Sequence, residues 1–159
     1  MHGLVAANTV VAASACSVWD VYGTLQVLTI INTFLPNVLG TVKVLDGDGH
    51  VGTLLNVTFP PGTPGVGYMK EMITKVDNKK RVKETETIEA GFIALGFSRY
   101  ITQYKIIEKN STSSIIISKI EYELDDKLAN LTSVVNTELV ETLAETVGKY
   151  LTEKTPPPY

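Results

Sequence analysis

Hydrophobic and polar positions alternate with a period of two through most of this chain and switch to a period of three to four near residue 126. The valine- and alanine-rich run at residues 4–12 predicts a strand. Ser14 then has the right chemistry to cap a short helix carrying Trp19 and Tyr22, and residues 25–35 predict a second helix that stops before Pro36. The stretch TVKVLDGDGHVGTLLNVTF reads as two β-rich runs around a glycine turn, the strongest hairpin signal in the chain. After the rigid loop PPGTPG come four more β-prone runs: YMKEMITKVD, RVKETETIE, FIALGFSRYITQYKIIE and SSIIISKIEYEL. Their short connections predict antiparallel pairing.

From residue 126 to 154, Leu128, Leu131, Val135, Leu139, Leu143, Val147 and Leu151 form an apolar stripe, with Glu138, Glu141, Glu145 and Lys149 off it. That spacing predicts one long amphipathic helix, ended by Thr155 and three prolines. Such a helix must bury its stripe against a sheet. The expected fold is therefore α+β: a seven-stranded curved antiparallel sheet wrapped around a long C-terminal helix, with two short helices after the first strand. A hollow between sheet and helix follows from that shape.

Composition narrows the function more than the fold. A chain of 159 residues suffices for one domain, taken as residues 1–159. Its net charge is −3 and it has no Lys/Arg block to track a phosphate backbone, so nucleic acid is not an expected partner. No run reaches the roughly 18–20 apolar residues of a membrane span. The apolar N-terminal run lacks a basic flank and is interrupted by Asn8 and Thr9, which favours a strand over a signal peptide. With Cys16 as the single cysteine, a reducing, cytoplasmic setting is expected. Cys16, Trp19 and Tyr22 are expected to be packing residues of the first helix.

Several motifs dissolve on inspection. Gly47, Gly49 and Gly52 suggest a phosphate loop, but no GK[ST] follows and the next element is a strand. Asp46 and Asp48 begin an EF-hand-like pattern that Val51 and Val57 break. His2 and His50 are isolated and no Cys/His/carboxylate spacing supports a metal site, so no metal is expected. Three Asn-x-Ser/Thr matches, at Asn56, Asn110 and Asn130, are short patterns that recur by chance.

What survives is a set of charges in β-prone sequence. Glu71, Lys83 and Glu89 lie in two consecutive strand runs, followed by Phe92, Tyr100 and Thr102 in a third. Desolvating an ion costs several kcal/mol unless it is paired, so a carboxylate and an ammonium facing a hollow would mark a functional pocket. Alternation puts Phe92, Tyr100, Thr102, Tyr104 and Ile106 on one face. It does not decide the fate of residues 81–89, which are polar on both faces. On alternation alone the favoured reading of that run is solvated cross-strand pairs among Lys83, Glu84, Glu86 and Glu89 at the sheet surface.

The order of elements, the loop GDGHVGT, the turn TKVDNKKRV and the run IEAGFIALGF resemble the birch-pollen-allergen and pathogenesis-related class-10 plant proteins across essentially the whole chain. The similarity is strongest to the branch acting on benzylisoquinoline alkaloids, which includes norcoclaurine synthase. That resemblance implies the helix-grip fold and its internal hydrophobic cavity. In norcoclaurine synthase a Tyr, a Glu, a Lys and an Asp act in the pocket; here those positions hold Met69, Glu71, Lys83 and Thr102, with Tyr68 adjacent to the first. A one-residue slip reverses a strand side chain's face, so Tyr68 is no simple substitute.

Two of four positions retained implies altered chemistry in the same cavity. The expectation drawn from the resemblance is a cofactor-independent lyase that closes the ether ring of an acetylated salutaridinol-type alkaloid and eliminates acetate. Lys83, Glu89 and Glu71 are its expected catalytic groups. Either Lys83 or Glu89 takes the phenol proton, Lys83 steadies acetate, and Glu71 or Glu89 pairs with the substrate ammonium. Met69, Tyr68, Phe92, Tyr100, Thr102, Tyr104, Phe59 and Leu143 are its expected substrate contacts. The rival expectations are a non-catalytic carrier of apolar ligands and a norcoclaurine-type condensation enzyme. The C-terminal PPPY also matches a WW-domain ligand. The family includes monomers and dimers, so a homodimer stands among the expected partners beside the alkaloid.

Overall fold

The computed structural model describes residues 1–153; the PPPY segment lies outside them. Period-two alternation becomes seven strands: β1 (His2–Val11), β2 (Thr41–Asp46), β3 (Leu54–Thr58), β4 (Tyr68–Asp77), β5 (Val82–Ala90), β6 (Phe97–Asn110) and β7 (Ser113–Leu124). They pair antiparallel in the order β1-β7-β6-β5-β4-β3-β2. Chain-adjacent strands from β2 to β7 are also neighbours in the sheet, and β1 closes on β7 with His2 opposite Glu123. Helices α1 (Ala15–Tyr22) and α2 (Gln26–Phe34) follow β1. Ser14 caps α1 as expected, its hydroxyl accepting from the Ser17 N–H at 3.1 Å.

The concave face of the sheet carries the core. Along β7, Ser114, Ile116, Ser118, Ile120, Tyr122 and Leu124 are buried, as alternation requires. One apolar cluster joins Val18, Tyr22, Ile30, Ile73, Ile116 and Val147 across α1, α2, the sheet and the last helix. A second gathers Phe97, Tyr100, Ile120, Tyr122, Leu124 and Val135 at the other end.

Three local features depart from the sequence reading. The long C-terminal helix is interrupted: a 3₁₀ segment (Asp126–Val134) gives way to an extended Val135, and only then does α4 (Glu138–Thr152) begin. The cause lies in the short polar side chains there. Thr132 and Ser133 donate to the carbonyls of Ala129 and Asn130, and Asn136 accepts from the Glu138 N–H, each contact competing with the helical ladder. Leu128 and Leu131 therefore pack on the aromatic cluster, while Leu143, Ala144 and Val147 of α4 bury against the first. Second, residues 91–95 leave the sheet as a short helix α3 (Gly91–Leu95), because Ala90 and Gly91 both take positive φ, 58° and 46°. Third, Cys16 is exposed on the outer side of α1, since Ala15, Val18, Trp19 and Tyr22 claim the inner one. It is not a packing residue.

The glycine loop is structural, as its sequence suggested. Thr53 accepts from the Gly49 N–H at 2.9 Å and donates to the His50 carbonyl at 2.7 Å, tying the turn shut. Among the described residues no His, Cys, Asp and Glu cluster fits a metal, and no helix is long and apolar enough to cross a membrane.

Candidate functional site

Between the concave sheet and the helices lies a cavity of about 70 Å³. That is several times the roughly 10–15 Å³ that one water requires. Its helical wall is Tyr22 of α1, Val27, Leu28 and Ile31 of α2, and Leu143 of α4. Its sheet wall is Val42, Leu55, Glu71, Lys83, Thr85 and Tyr104. A similar-sized hollow lies by His2, Arg99 and Glu121, but no buried carboxylate or amine lines it.

Strand pairing explains why Glu71 and Lys83 face inward together. Val76 lies opposite Lys83, Ile73 opposite Thr85 and Glu71 opposite Thr87. An irregularity between Ile73 and Lys75 shifts the register so that Val76, rather than Lys75, shares the inner face. Across the next ladder Lys83 pairs with Tyr104 and Thr85 with Thr102. The result is an inner patch of one carboxylate, one amine and several hydroxyls, framed by aliphatic side chains.

Lys83 is 4% exposed. Burial pulls its amine down from the ordinary lysine value to about 8, against the opposing attraction of Glu71. Glu71 is partly buried in the cavity wall. Burial pushes its carboxyl up, while the Thr85 hydroxyl at 3.4 Å and the Lys83 charge pull it down. Burial with the Glu71 charge nearby also holds the Tyr104 phenol well above its ordinary value. The site thus holds a lysine that exchanges protons near neutrality and a carboxylate that biases it, both shielded from bulk water.

Of the residues expected at the site, Glu71, Lys83, Tyr104 and Leu143 line the cavity. Thr102 is buried beside Thr85 on the same face. Phe92 stacks on Tyr100 at 3.7 Å between ring centroids and meets Phe97 edge-on, within the second apolar cluster. Met69 lies beneath α3, its sulfur 3.8 Å from the Thr87 hydroxyl.

Seven of the expected residues do not line the cavity: Thr102, Phe92, Tyr100 and Met69, just described, and Glu89, Tyr68 and Phe59. Glu89 shares the parity of Lys83, Thr85 and Thr87, but a bulge intervenes: Glu71 pairs with Thr87 and Lys70 with Glu89, leaving Ile88 unpaired. The extra residue turns Glu89 to the outer face. There its carboxylate accepts from the Tyr68 hydroxyl at 2.8 Å and pairs with Lys70 at 3.2 Å, which places Tyr68 outside too. Phe59 sits past the end of β3, half-buried, its N–H donated to the Gly67 carbonyl. The solvated-pair reading holds for Glu84 with Gln103 and for Glu86 with Arg99, and fails only for Lys83. Accordingly, Glu89→Ala is expected to leave turnover within about twofold and stability within roughly 0.5 kcal/mol, checked by rate and urea midpoint.

Seven cavity residues were missed in the sequence: the aliphatic Val27, Leu28, Ile31, Val42 and Leu55, and the hydroxyl-bearing Thr85 and Tyr22. Thr85 lay within the polar run that alternation left undecided. Tyr22 was assigned to the core with Trp19, and nothing in a helical stripe separates a core tyrosine from one lining a hollow.

The fold recurs among solved structures. A solved structure of a Thalictrum flavum norcoclaurine synthase point mutant, with a transition-state analogue, superposes with a TM-score of 0.89 at 28% identity, covering 97% of this chain and 96% of that one. The same plant's enzyme in complex with dopamine and hydroxybenzaldehyde gives 0.87 at 27% identity, covering 99% and 90%. Norbelladine synthase of Narcissus pseudonarcissus is 39% identical over 154 residues, 97% of this chain and 94% of that protein. S-norcoclaurine synthase 2 of Papaver somniferum is 34% identical over 146 residues, of which this chain spans 63% of the length. The Pathogenesis-related protein Bet v 1 family pattern matches residues 9–154. Sheet order, cavity and sequence agree, and the chain belongs to the pathogenesis-related Bet v 1 family.

Proposed function

We propose that this chain is an alkaloid-forming enzyme that condenses an aromatic amine with an aromatic aldehyde, Lys83 moving the protons and Glu71 setting its charge. The observation that carries this reading is Lys83 itself: an amine buried in an apolar hollow, with a pKa near 8, facing a carboxylate. Relatives named as norbelladine and norcoclaurine synthases, one solved with an amine and an aldehyde bound, support the substrate class.

In this mechanism the amine nitrogen attacks the aldehyde carbon, the C=O π bond breaks, and the oxygen takes up the proton that the attacking nitrogen sheds, giving a carbinolamine. The Lys83 ammonium then protonates that hydroxyl. Water leaves, the nitrogen lone pair forms the C=N bond, and the nitrogen proton returns to Lys83. Atoms balance as imine plus water, and no electron acceptor is required. A general acid with a pKa near the working pH combines a useful protonated fraction with a strong tendency to transfer. The reaction stops at the imine. Ring closure by a norcoclaurine-type route would draw on the Tyr and Asp that are Met69 and Thr102 here.

Those two departures also support a second reading, the ether-ring closure of thebaine synthase, in which a phenol displaces acetate. One assay separates them. Dopamine and 4-hydroxybenzaldehyde are incubated with the protein, imine is trapped with borohydride and product is followed by mass; an acetylated salutaridinol is run in parallel. Trapped amine above the protein-free rate, without ring-closed product, is the expected result. Acetate release alone would transfer the function to the second reading. Binding of both substrates without conversion above background would leave a carrier and overturn catalysis.

A further inference from the structure

The helical wall of the cavity is apolar except at one atom. Tyr22 is the last residue of α1 and is fully buried, with its ring 4.9 Å from that of Tyr104 at a 46° tilt. Its hydroxyl is buried and has no hydrogen-bond partner among the described residues. Native interiors pair nearly all buried polar groups, so an orphan lining a cavity marks a position that a ligand completes. The other unpartnered buried hydroxyl, Ser118, lies outside the cavity lining.

We infer that the Tyr22 hydroxyl is a specificity-determining contact that hydrogen-bonds a neutral phenolic hydroxyl on an aromatic ligand seated among Leu28, Ile31, Leu55 and Leu143. A charged partner is disfavoured at that wall, because aliphatic side chains would strip its hydration without replacing it. Burial holds the Tyr22 phenol in its neutral form, so it both donates and accepts. A phenol is complementary on both counts, and the aliphatic residues beside it suit a ring. Glu71, Lys83 and Thr85 lie on the opposite wall, leaving the ligand's reactive end to them. A wall that recognises a hydroxyl discriminates strongly against the analogue lacking it, whereas an apolar wall alone does not.

This inference names the substrate class of the condensation site and rests on that reading, but its test does not pass through turnover. The probes are 4-ethylphenol and ethylbenzene, which carry neither amine nor aldehyde, titrated into the wild type and Tyr22→Phe by NMR. The preference for 4-ethylphenol over ethylbenzene should fall about threefold to tenfold in Tyr22→Phe. Intermolecular NOEs in the wild type should join the probe's ring protons to the Leu28 and Ile31 methyls. Tyr22→Phe should melt no lower than wild type, since it removes an unpaired hydroxyl and keeps the ring. An unchanged preference, a fall seen only in Tyr104→Phe, NOEs confined to residues outside the cavity, or a clear loss of stability in Tyr22→Phe would each overturn the inference. Absence of condensation with an intact phenol preference would instead count against the proposed reaction alone.

Discussion

Lys83→Met is expected to abolish turnover and stabilise the protein. Removing a general acid–base costs about 10²–10⁴-fold in rate, so product formation should drop to the protein-free level. Stability moves the other way because the buried amine is under strain. Its pKa is about 8 when folded against 10.5 unperturbed, so the unfolded chain holds the proton more tightly. That difference amounts to about 3 kcal/mol of destabilisation at pH 7. Methionine keeps the length and apolar stem of the side chain and carries no charge to desolvate. Part of the gain is lost because Glu71 forfeits the attraction that lowers its own pKa. A net gain of roughly 1–3 kcal/mol remains, about 3–10 °C in Tm for a chain of this size. The pH dependence identifies the cause. Below pH 8 both states of the wild type are protonated at Lys83 and the penalty is full. Between pH 8 and 10.5 the folded amine is neutral while the unfolded one still binds its proton, so wild-type stability rises. Urea unfolding should therefore show the variant's advantage large at pH 7 and reduced near pH 10. A variant less stable than wild type at pH 7 would mean that Lys83 holds the fold together, which would remove the case for a functional strain.

That the lysine is buried was not legible in its own neighbourhood. Residues 81–89 are polar at nearly every position, and such a run pairs with water on an outer face as readily as it projects into a hollow. The strands themselves were legible, because β7 and the Tyr100–Ile106 part of β6 alternate cleanly and β2–β3 flank a glycine turn. So was the apolar inner face of α4 at Leu143 and Val147. What escaped was set by irregularities that change parity without changing composition. The bulge at Ile88 inverts Glu89, and the shift between Ile73 and Lys75 turns Val76 inward. Neither carries a glycine or proline to announce it. The break before α4 was nearer to being readable, since Thr132, Ser133, Asn136 and Thr137 are residues whose side chains compete for backbone groups. An apolar stripe continuing through Leu131 and Val135 masked that signal.

Glu71→Gln separates the two charges of the site. Glutamine keeps the size and the hydrogen-bonding oxygen that faces Thr85, and removes only the negative charge. Glu71 is the group that raises the Lys83 pKa against burial. Without it the amine loses its proton more readily, so the ammonium needed to expel water is scarcer at every pH near neutrality. Turnover should fall roughly 10–100-fold, and the rate profile should change shape in a defined direction. Its ascending limb belongs to the substrate amine, which attacks only when neutral, and stays in place. Its descending limb belongs to Lys83 and moves to lower pH, narrowing the active range from above. Burial pushes the Glu71 carboxyl up despite the Lys83 charge, so glutamine also removes a buried carboxylate that costs stability once it ionises, and the variant is expected to be no less stable than wild type at pH 7. A descending limb that stays fixed in Glu71→Gln would assign that titration to a group other than Lys83. A limb moving to higher pH would reverse the sign of the coupling, because only a like charge at position 71 would have held the lysine pKa down.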